Sequence, residues 1–494
     1  MRRWLIPSLP EVLFLAIFIW LFAGASGWSG LLADGDTGWH IRNGQLILQH
    51  HAAPREDWFG FGAEGHPWFA WEWLADIAFA LLHQAAGLKA VVFASGIVIA
   101  CSQYIVFRHC LWRGVNPLAA LAATLAATNA STVHYLARPH VFTLLFTAAA
   151  AWLLDIDRAK AARIVWTLPL LVALWTNLHG GFLAVFVLLG ARMLECICVR
   201  AQRAELGRMA WLSSLCAAAT FLNPYGWRLH VHLWQYLGSN WIRDSIEEFQ
   251  SPRFRSESMF WFELLLALGI AALPRLIARM RIRDAALIVF WGHAALVSVR
   301  HVPVYAMVAI PPIAAEIDAW WQRATITAGR RSLLRAIREL GQEWRKWTTG
   351  FTIVPAVCLI AMFLIPPASF WPADFPHHRF PAAMVSRNAA ALSAVNQGPV
   401  RVFSTDQWSD YLIYRLHPNI RTYFDGRSDF FAEWRGEDYR ALMEGRPGSI
   451  AILDRDRTQF ALVPAGWPLA GLMMRDPEWK QIDHDSMALL FVRR

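Results

Sequence analysis

Apolar runs near bilayer length recur along this sequence, at roughly 11–33, 85–107, 117–132, 141–154, 164–178, 182–199, 209–222, 259–279, 284–299, 302–319 and 350–371, against the ~20 residues a helix needs to cross a hydrocarbon core. Backbone groups in lipid must bond within their own segment, so runs of this kind fold as helices. The expected fold class is therefore an α-helical polytopic membrane protein with about 11 transmembrane helices. Composition agrees, with 56% hydrophobic residues, 17% charged residues and 27 Trp in 494, too apolar for an ordinary soluble protein. The net charge of +9 is informative through its placement between loops, and it implies no nucleic-acid partner.

If every run spans, one set of alternate loops holds Arg2 and Arg3; Arg108 and Arg113; Arg158, Lys160 and Arg163; Arg200, Arg203 and Arg208; Arg275, Arg279, Arg281 and Arg283; and Arg330 through Lys346. The opposite set is poor in Lys and Arg. The positive-inside rule makes the first set cytoplasmic, so the N-terminus is expected inside and the chain from about 372 outside. The first run lacks a small-residue cleavage site and reads as a retained anchor. All six cysteines fall in expected helices or at their cytoplasmic ends, so no exported disulfide is expected, and Cys196 and Cys198 lack zinc-site spacing.

Residues 1–371 read as a transmembrane domain with a long first external loop, 34–72, and a cytoplasmic basic segment, 320–349. Within that segment "RRSLLRAIRELGQEWRKW" puts Leu333, Leu334, Ile337, Leu340, Trp344 and Trp347 on one helical face, as suits a helix lying on the anionic leaflet. Residues 372–494 read as an extracytoplasmic α/β domain, with strands at "PVRVFST", "IRTYFDG", "QFALVP" and "MALLFVRR" and helices at "WSDYLIYRL", "GEDYRALMEG" and "LAGLMMRD".

The unusual polar motifs gather on the external side. They are "DGDTGWH" with Asp34, Asp36 and His40, "HYLARPH" with Arg138 and His140, "TNLHGG" with Asn177 and His179, "LNPYGWRLH", "SIEEFQSP" with Glu247 and Glu248, and "VRHVP" with Arg300 and His301. Convergence on one cavity at the outer interface is expected. A single His or Asn at a helix end is more often an interfacial anchor or cap. An arginine at the boundary costs up to about 3 kcal/mol if it cannot snorkel, so Arg138 and Arg300 point to an anionic ligand or to internal ion pairs with the carboxylates. The first loop adds Trp39, Trp58, Phe59, Trp68, Phe69 and Trp71, with further acids that include Glu56, Asp57, Glu64 and Glu72. Such rings form an interfacial belt and also suit stacking on sugars.

A first span followed by a long external loop opening with D-x-D, then many spans and a terminal α/β domain, resembles the GT-C superfamily of integral-membrane glycosyltransferases. More narrowly, "DGDTGWHIRNGQLIL", "PWFAWEWLADIAFALL", "NLHGGF" and "DGRSDFF" resemble a bacterial group of membrane proteins of that type with no assigned substrate. The WWD-type signature of oligosaccharyltransferases is absent, which argues against transfer of whole oligosaccharides to Asn. The resemblance implies a bacterial inner-membrane enzyme that moves a sugar from a polyprenyl-phosphate donor to an external glycan, lipid or protein acceptor. Asp34 or Asp36 is then the expected general base. His40, Arg138, His140, Asn177, His179, Arg300 and His301 are the expected ligands of donor phosphate or substrate, and Glu72, Glu247 and Glu248 are secondary candidates. Asp34 and Asp36 can also share Mg²⁺ or Mn²⁺.

Two other readings compete. A transporter or flippase for a lipid-linked or anionic substrate places ionisable groups near the midplane, often with repeat symmetry, whereas here they cluster on one face. A non-catalytic membrane assembly protein uses Asp34 and Asp36 only as ion-pair partners for Arg138 or Arg300.

Overall fold

The computed structural model describes residues 5–24, 26–63, 66–327, 332–394 and 398–494. The expectations on Arg2, Arg3, Glu64, Arg330 and Arg331 lie outside the described residues. Every apolar run holds a helix: α1 (Leu9–Ala23), α3 (Trp73–Trp112), α4 (Pro117–Ser131), α5 (His140–Lys160), α6 (Leu168–Leu178), α7 (Ala184–Cys198), α8 (Leu206–Ala219), α10 (Glu257–Ala278), α11 (Ile282–Val297), α12 (Val302–Thr327) and α14 (Val354–Leu364). Between them lie α2 (Asp36–His50), α9 (Trp227–Gly238) and the basic amphipathic α13 (Leu333–Trp344). Among the described residues, five stretches are long and apolar enough to cross a membrane, those containing α3, α5, α7, α10 and α12, while α1, α6 and α14 belong to shorter apolar helices.

Two boundaries differ from expectation. The first run is not one helix over 11–33: α1 stops at Ala23, and after a break at Gly24 a short helix runs Gly27–Leu31. Gly27 sits at φ +49°, a left-handed conformation that costs a glycine little and a β-carbon residue more. The second run begins earlier than 85, because α3 starts at Trp73 and is kinked at Ala86 and Gly87, where Gly87 has φ +65°. The twelve or so extra residues carry Glu72 and Asp76 into position at its first turn.

At the other end of α3, Arg113 joins Asp155 of α5 to Asp284 of α11, 2.9 Å away, and His109 meets Asp155 at 2.7 Å. Such a buried network specifies helix register more securely than it adds stability. α13 leaves Leu333, Leu334, Ile337 and Leu340 exposed and is fastened from its polar face by Arg338 to Asp318 at 2.6 Å.

The C-terminal segment forms a five-stranded sheet in the order β2-β1-β3-β5-β4, with β1 (Val400–Ser404), β2 (Ile420–Thr422), β3 (Phe460–Pro464), β4 (Trp479–His484) and β5 (Ala488–Arg493). β1 lies parallel to β2 and β3, and β5 is antiparallel to β3 and β4. Helices α15 (Asp406–Leu416) and α16 (Ser428–Glu444) follow β1 and β2. β4 went unread in the sequence because WKQIDH is largely polar and exposed, as an edge strand tolerates. The opposite edge is closed by the first loop: Thr422 N–H donates to Phe59 O at 2.9 Å and Phe61 N–H to Thr422 O at 3.1 Å. Loop and sheet are therefore one continuous structure above the bundle.

Candidate functional site

The glycines of "DGDTGWH" let α2 pack against α15 at backbone distance. A β-carbon on Gly38 would lie 2.7 Å from Tyr414 Cβ and 3.0 Å from Asp410 O, and Gly35 N–H donates to Gln407 Oε1 at 2.7 Å. The first turn of α2 thus meets the C-terminal sheet domain. On its other side Thr37 Oγ1 donates to Ala137 O at 2.8 Å, and Ala137 N–H donates to Leu31 O at 2.7 Å. Those bonds fix the segment that carries Arg138.

Arg138 gathers three carboxylates: Asp34 at 2.8 Å, Asp36 at 2.5 Å and Glu248 at 2.6 Å. Of the alternatives for this arginine, internal ion pairs are what the geometry realises. Burial raises Glu248, yet Arg138, His134 and Arg300 together more than offset it and the carboxyl sits down at about 2. Asp36 moves the other way on the same cation, up to about 8, because burial is deeper in effect and Asp34 is a second negative neighbour. Its remaining oxygen, Oδ1, has no conventional partner, and neither has Asp410 Oδ2; both crowd the space that a β-carbon on Gly426 would take. Asp410 is pushed well above the ordinary range, by burial first and then by Asp36, so the pair retains protons that a free aspartate releases.

A second group centres on Glu72, just before α3. His179 Nε2 lies 3.3 Å from Glu72 Oε1 and His40 Nε2 lies 3.5 Å from Oε2. His40 is itself buried, with Nδ1 on Asp76 Oδ1 at 2.5 Å. It stands behind Glu72 and is not among the residues that line the cavity. Asn177 ties helices together: Trp73 Nε1 donates to its side chain at 2.7 Å, and its amide donates to Ala173 and Leu222 carbonyls.

The third group is basic. The His134 and His140 rings are tilted by 46° with centres 4.0 Å apart, and burial lowers His134 to about 4, so it is neutral at physiological pH. Arg300 donates to Tyr236 OH at 3.3 Å and lies over the Phe249 ring at 4.5 Å; among the described residues no carboxylate lies within ion-pair distance of it. His301 Nδ1 meets Ala294 O at 3.2 Å. Glu247 is the outlier of the acidic candidates, largely exposed and loosely paired with exposed Arg253 at 3.4 Å.

All three groups line a single cavity of about 1330 Å³, whose walls include Asp34, Asp36, Glu72, Arg138, His179 and Arg300. Trp39, Trp68, Phe69 and Trp71 supply aromatic wall. The C-terminal domain closes it with Asp406, Gly426, Arg427 and Asp429, of which Asp429 bonds His232 at 3.0 Å and Arg427 is held by Asp57 and Asp425 at 2.6 Å each. Neither His134, Asp410 nor Asp429 was singled out from sequence. A charged residue inside the otherwise apolar helix "WSDYLIY" was the available signal for Asp410.

Asp34 and Asp36 do not make a ready divalent site. Arg138 already holds both, and the free oxygen of Asp36 is closed in by Gly426 and Asp410. Among the described residues no group of three or more His, Cys, Asp or Glu side chains converges to hold an ion.

No protein-family model matches the sequence, and no curated protein matches it either. Its fold is nonetheless shared with solved structures. The oligosaccharyltransferase AglB of Archaeoglobus fulgidus, solved with an inhibitory peptide and a dolichol-phosphate, superposes with a TM-score of 0.60 at 10% identity, over 92% of this chain and 69% of that one. ArnT of Cupriavidus metallidurans bound to undecaprenyl phosphate gives 0.50 at 14% identity over 97% of both chains, and its apo form 0.51. Both are membrane glycosyltransferases of the GT-C superfamily, so the chain has the fold that its motifs resemble.

Proposed function

We propose that this protein is a membrane glycosyltransferase that takes a sugar from a polyprenyl-phosphate donor and passes it to a hydroxyl of an external acceptor. The observation that carries this reading is one cavity lined by both a carboxylate cluster and a cation without a carboxylate partner. Arg300, with His134 and His140 nearby, is one cavity arginine free to meet a donor phosphate, and Arg379 is another without a carboxylate partner among the described residues; Arg138 is committed to Asp34, Asp36 and Glu248 and serves to hold them. Aromatic wall at Trp68, Phe69 and Trp71 suits the faces of sugar rings.

In the proposed reaction the acceptor oxygen bonds to the anomeric carbon, the bond from that carbon to the phosphate oxygen breaks, and the departing polyprenyl phosphate keeps the electron pair. A carboxylate takes the acceptor's proton. Both line the cavity, and Asp34 suits this better than Asp36 because burial lifts the Asp36 carboxyl to about 8. The neighbouring structures with dolichol-phosphate and undecaprenyl phosphate support the donor class. The ionisable groups that line the cavity, at one end of the bundle, fit an enzyme at the bilayer edge, where a lipid-linked donor presents its reactive carbon.

The test is transfer of radiolabelled sugar from a panel of polyprenyl-phosphate donors in membranes with matched amounts of wild type and Asp34→Asn. Loss of a general base lowers turnover by roughly 10²–10⁴-fold. Donor consumption by wild type and its loss in the variant is the expected result; equal activity of the two removes Asp34 as the base.

A further inference from the structure

At the start of α16 the "DGRSDFF" segment reaches the cavity, and Asp429 belongs to its wall. Neighbouring Arg427 is taken up by Asp57 and Asp425 at 2.6 Å each, so it fixes the backbone here without pairing with Asp429. The partner of Asp429 comes from the helical bundle instead: His232 Nε2 of α9 meets Asp429 Oδ2 at 3.0 Å, within hydrogen-bond distance. The other oxygen, Oδ1, has no hydrogen-bond partner among the described residues and is not sealed off from the cavity. The His232 ring is in turn set among aromatic wall residues, with the Phe69 ring 4.8 Å away and the Trp71 ring 5.1 Å away. Trp71 meets Tyr236 edge to face at 5.0 Å, and Tyr236 OH is the group to which Arg300 donates. Direct contacts thus run from Arg300 through Tyr236, Trp71 and His232 to Asp429, and of these only His232 stands behind the cavity wall.

We propose that Asp429 is a specificity-determining residue for the donor's sugar, accepting hydrogen bonds from its ring hydroxyls while Phe69 and Trp71 border the ring. The assignment rests on the glycosyl-transfer reading and names the part of the substrate that the C-terminal domain reads. A pyranose presents apolar C–H faces and a rim of hydroxyls, so its site needs aromatic surface beside an acceptor, and a carboxylate with a free oxygen is an acceptor only. O–H donors to a carboxylate make the shorter and stronger class of hydrogen bond. The Asp429 side chain is only 11% exposed, so a sugar lacking the matching hydroxyl leaves a largely desolvated acceptor unpaired, and the site rejects it. The contacts favour the donor's sugar over the acceptor's. In a polyprenyl-phosphate donor the sugar is bonded to the phosphate itself, and the phosphate group at Arg300 is joined to the Asp429 subsite through Tyr236 and Trp71. No proton changes hands at Asp429; its role is binding, and base chemistry stays with Asp34.

The experiment measures kcat/KM for a polyprenyl-phosphate sugar that wild type consumes and for its monodeoxy analogues, one hydroxyl removed at a time, in wild type, Asp429→Asn and Asp429→Ala. Wild type is expected to prefer the parent over at least one analogue by about tenfold or more, the order for a hydrogen bond to a charged group. Asp429→Ala is expected to lose most of that preference, because it slows the parent and leaves the matching analogue almost as it was. Asp429→Asn keeps the shape and an amide that can bond His232 in either ring state, so it serves as the folded variant, and its preference is expected to lie between the two. A merely structural loss slows every donor alike and leaves the preference intact, which overturns the assignment. A raised acceptor KM with the donor preference unchanged overturns it too, since Asp429 then reads the acceptor, as does a wild type indifferent to every deoxy analogue. In each of those cases sugar transfer itself stands. Wild type that consumes no polyprenyl-phosphate donor removes the underlying reading, and the assignment falls with it.

Discussion

Arg300 holds its guanidinium over the Phe249 ring, at 4.5 Å, with Tyr236 OH at 3.3 Å, a setting that orients a cation without neutralising it. A phosphate diester entering the cavity meets a pre-placed planar fork, which binds two oxygens at once. Arg300→Ala is therefore expected to raise the donor KM at least tenfold, the order of about 1.5–3 kcal/mol for a charged hydrogen bond. Arg300→Lys should recover only part of that, since a point charge does not reproduce the fork. Steady-state kinetics with varied donor concentration checks both, and an unchanged KM in Arg300→Ala would remove this residue from the phosphate site. Arg138 had the same sequence signature, an arginine beside a histidine at an outer helix end. What separates the two is the count of carboxylates around each, three against none within reach among the described residues. That count depends on Asp34, Asp36 and Glu248 meeting in space, which no local pattern encodes.

At the scale of elements, the decisive contact is α2 against α15, between residues 372 positions apart in the chain. It buries Asp36 and Asp410 face to face around Gly426, and the folded state holds a proton there that an unfolded aspartate releases near its ordinary value. With more protons bound in the folded state, stability falls as pH rises between the ordinary carboxyl range and about 8, the folded value of Asp36. Asp410→Asn replaces a titratable carboxyl with a permanent N–H donor to Asp36 while its oxygen still accepts the Gly426 N–H, now 2.9 Å from Asp410 Oδ1. The thermal midpoint of the detergent-solubilised wild type should thus drop more between pH 6 and pH 9 than that of Asp410→Asn. Parallel losses in the two proteins would show that the carboxyl pair does not set this dependence. Apolar helices were legible in the sequence because lipid permits little else, and strands such as "QFALVP" because alternation and β-branching are local. The break after Ala23 and the pairing of α2 with α15 were not, since they depend on glycines whose use is decided by what approaches them; the early start of α3 was not, because the turn before the kink at Ala86 and Gly87 mixes polar with apolar residues.

For the whole molecule, charge and cavity lie at opposite ends of the helices. The buried cluster of Arg113, Arg283, Asp155 and Asp284 and the amphipathic α13 sit at the arginine-rich end, while Arg138, Glu72 and Arg300 open into the cavity at the other. We expect the first end to face the cytoplasm, where arginines are retained during insertion, and the exposed apolar face of α13 to rest on the anionic leaflet. The cavity and the five-stranded sheet then face outward, on the side where a lipid-linked sugar waits for an external acceptor. Cysteine labelling tests this in a variant freed of the six native cysteines, one of which, Cys198, is exposed. A cysteine placed at exposed Ser251, at the cavity mouth, should react with a membrane-impermeant maleimide in intact spheroplasts. One placed at exposed Gln342 of α13 should react only after the membrane is opened. The reverse pattern would turn the cavity toward the cytoplasm, where soluble nucleotide sugars are at hand, and the case for a polyprenyl-linked donor would lose its geometric basis. The labelling experiment therefore bears on donor chemistry as directly as on topology.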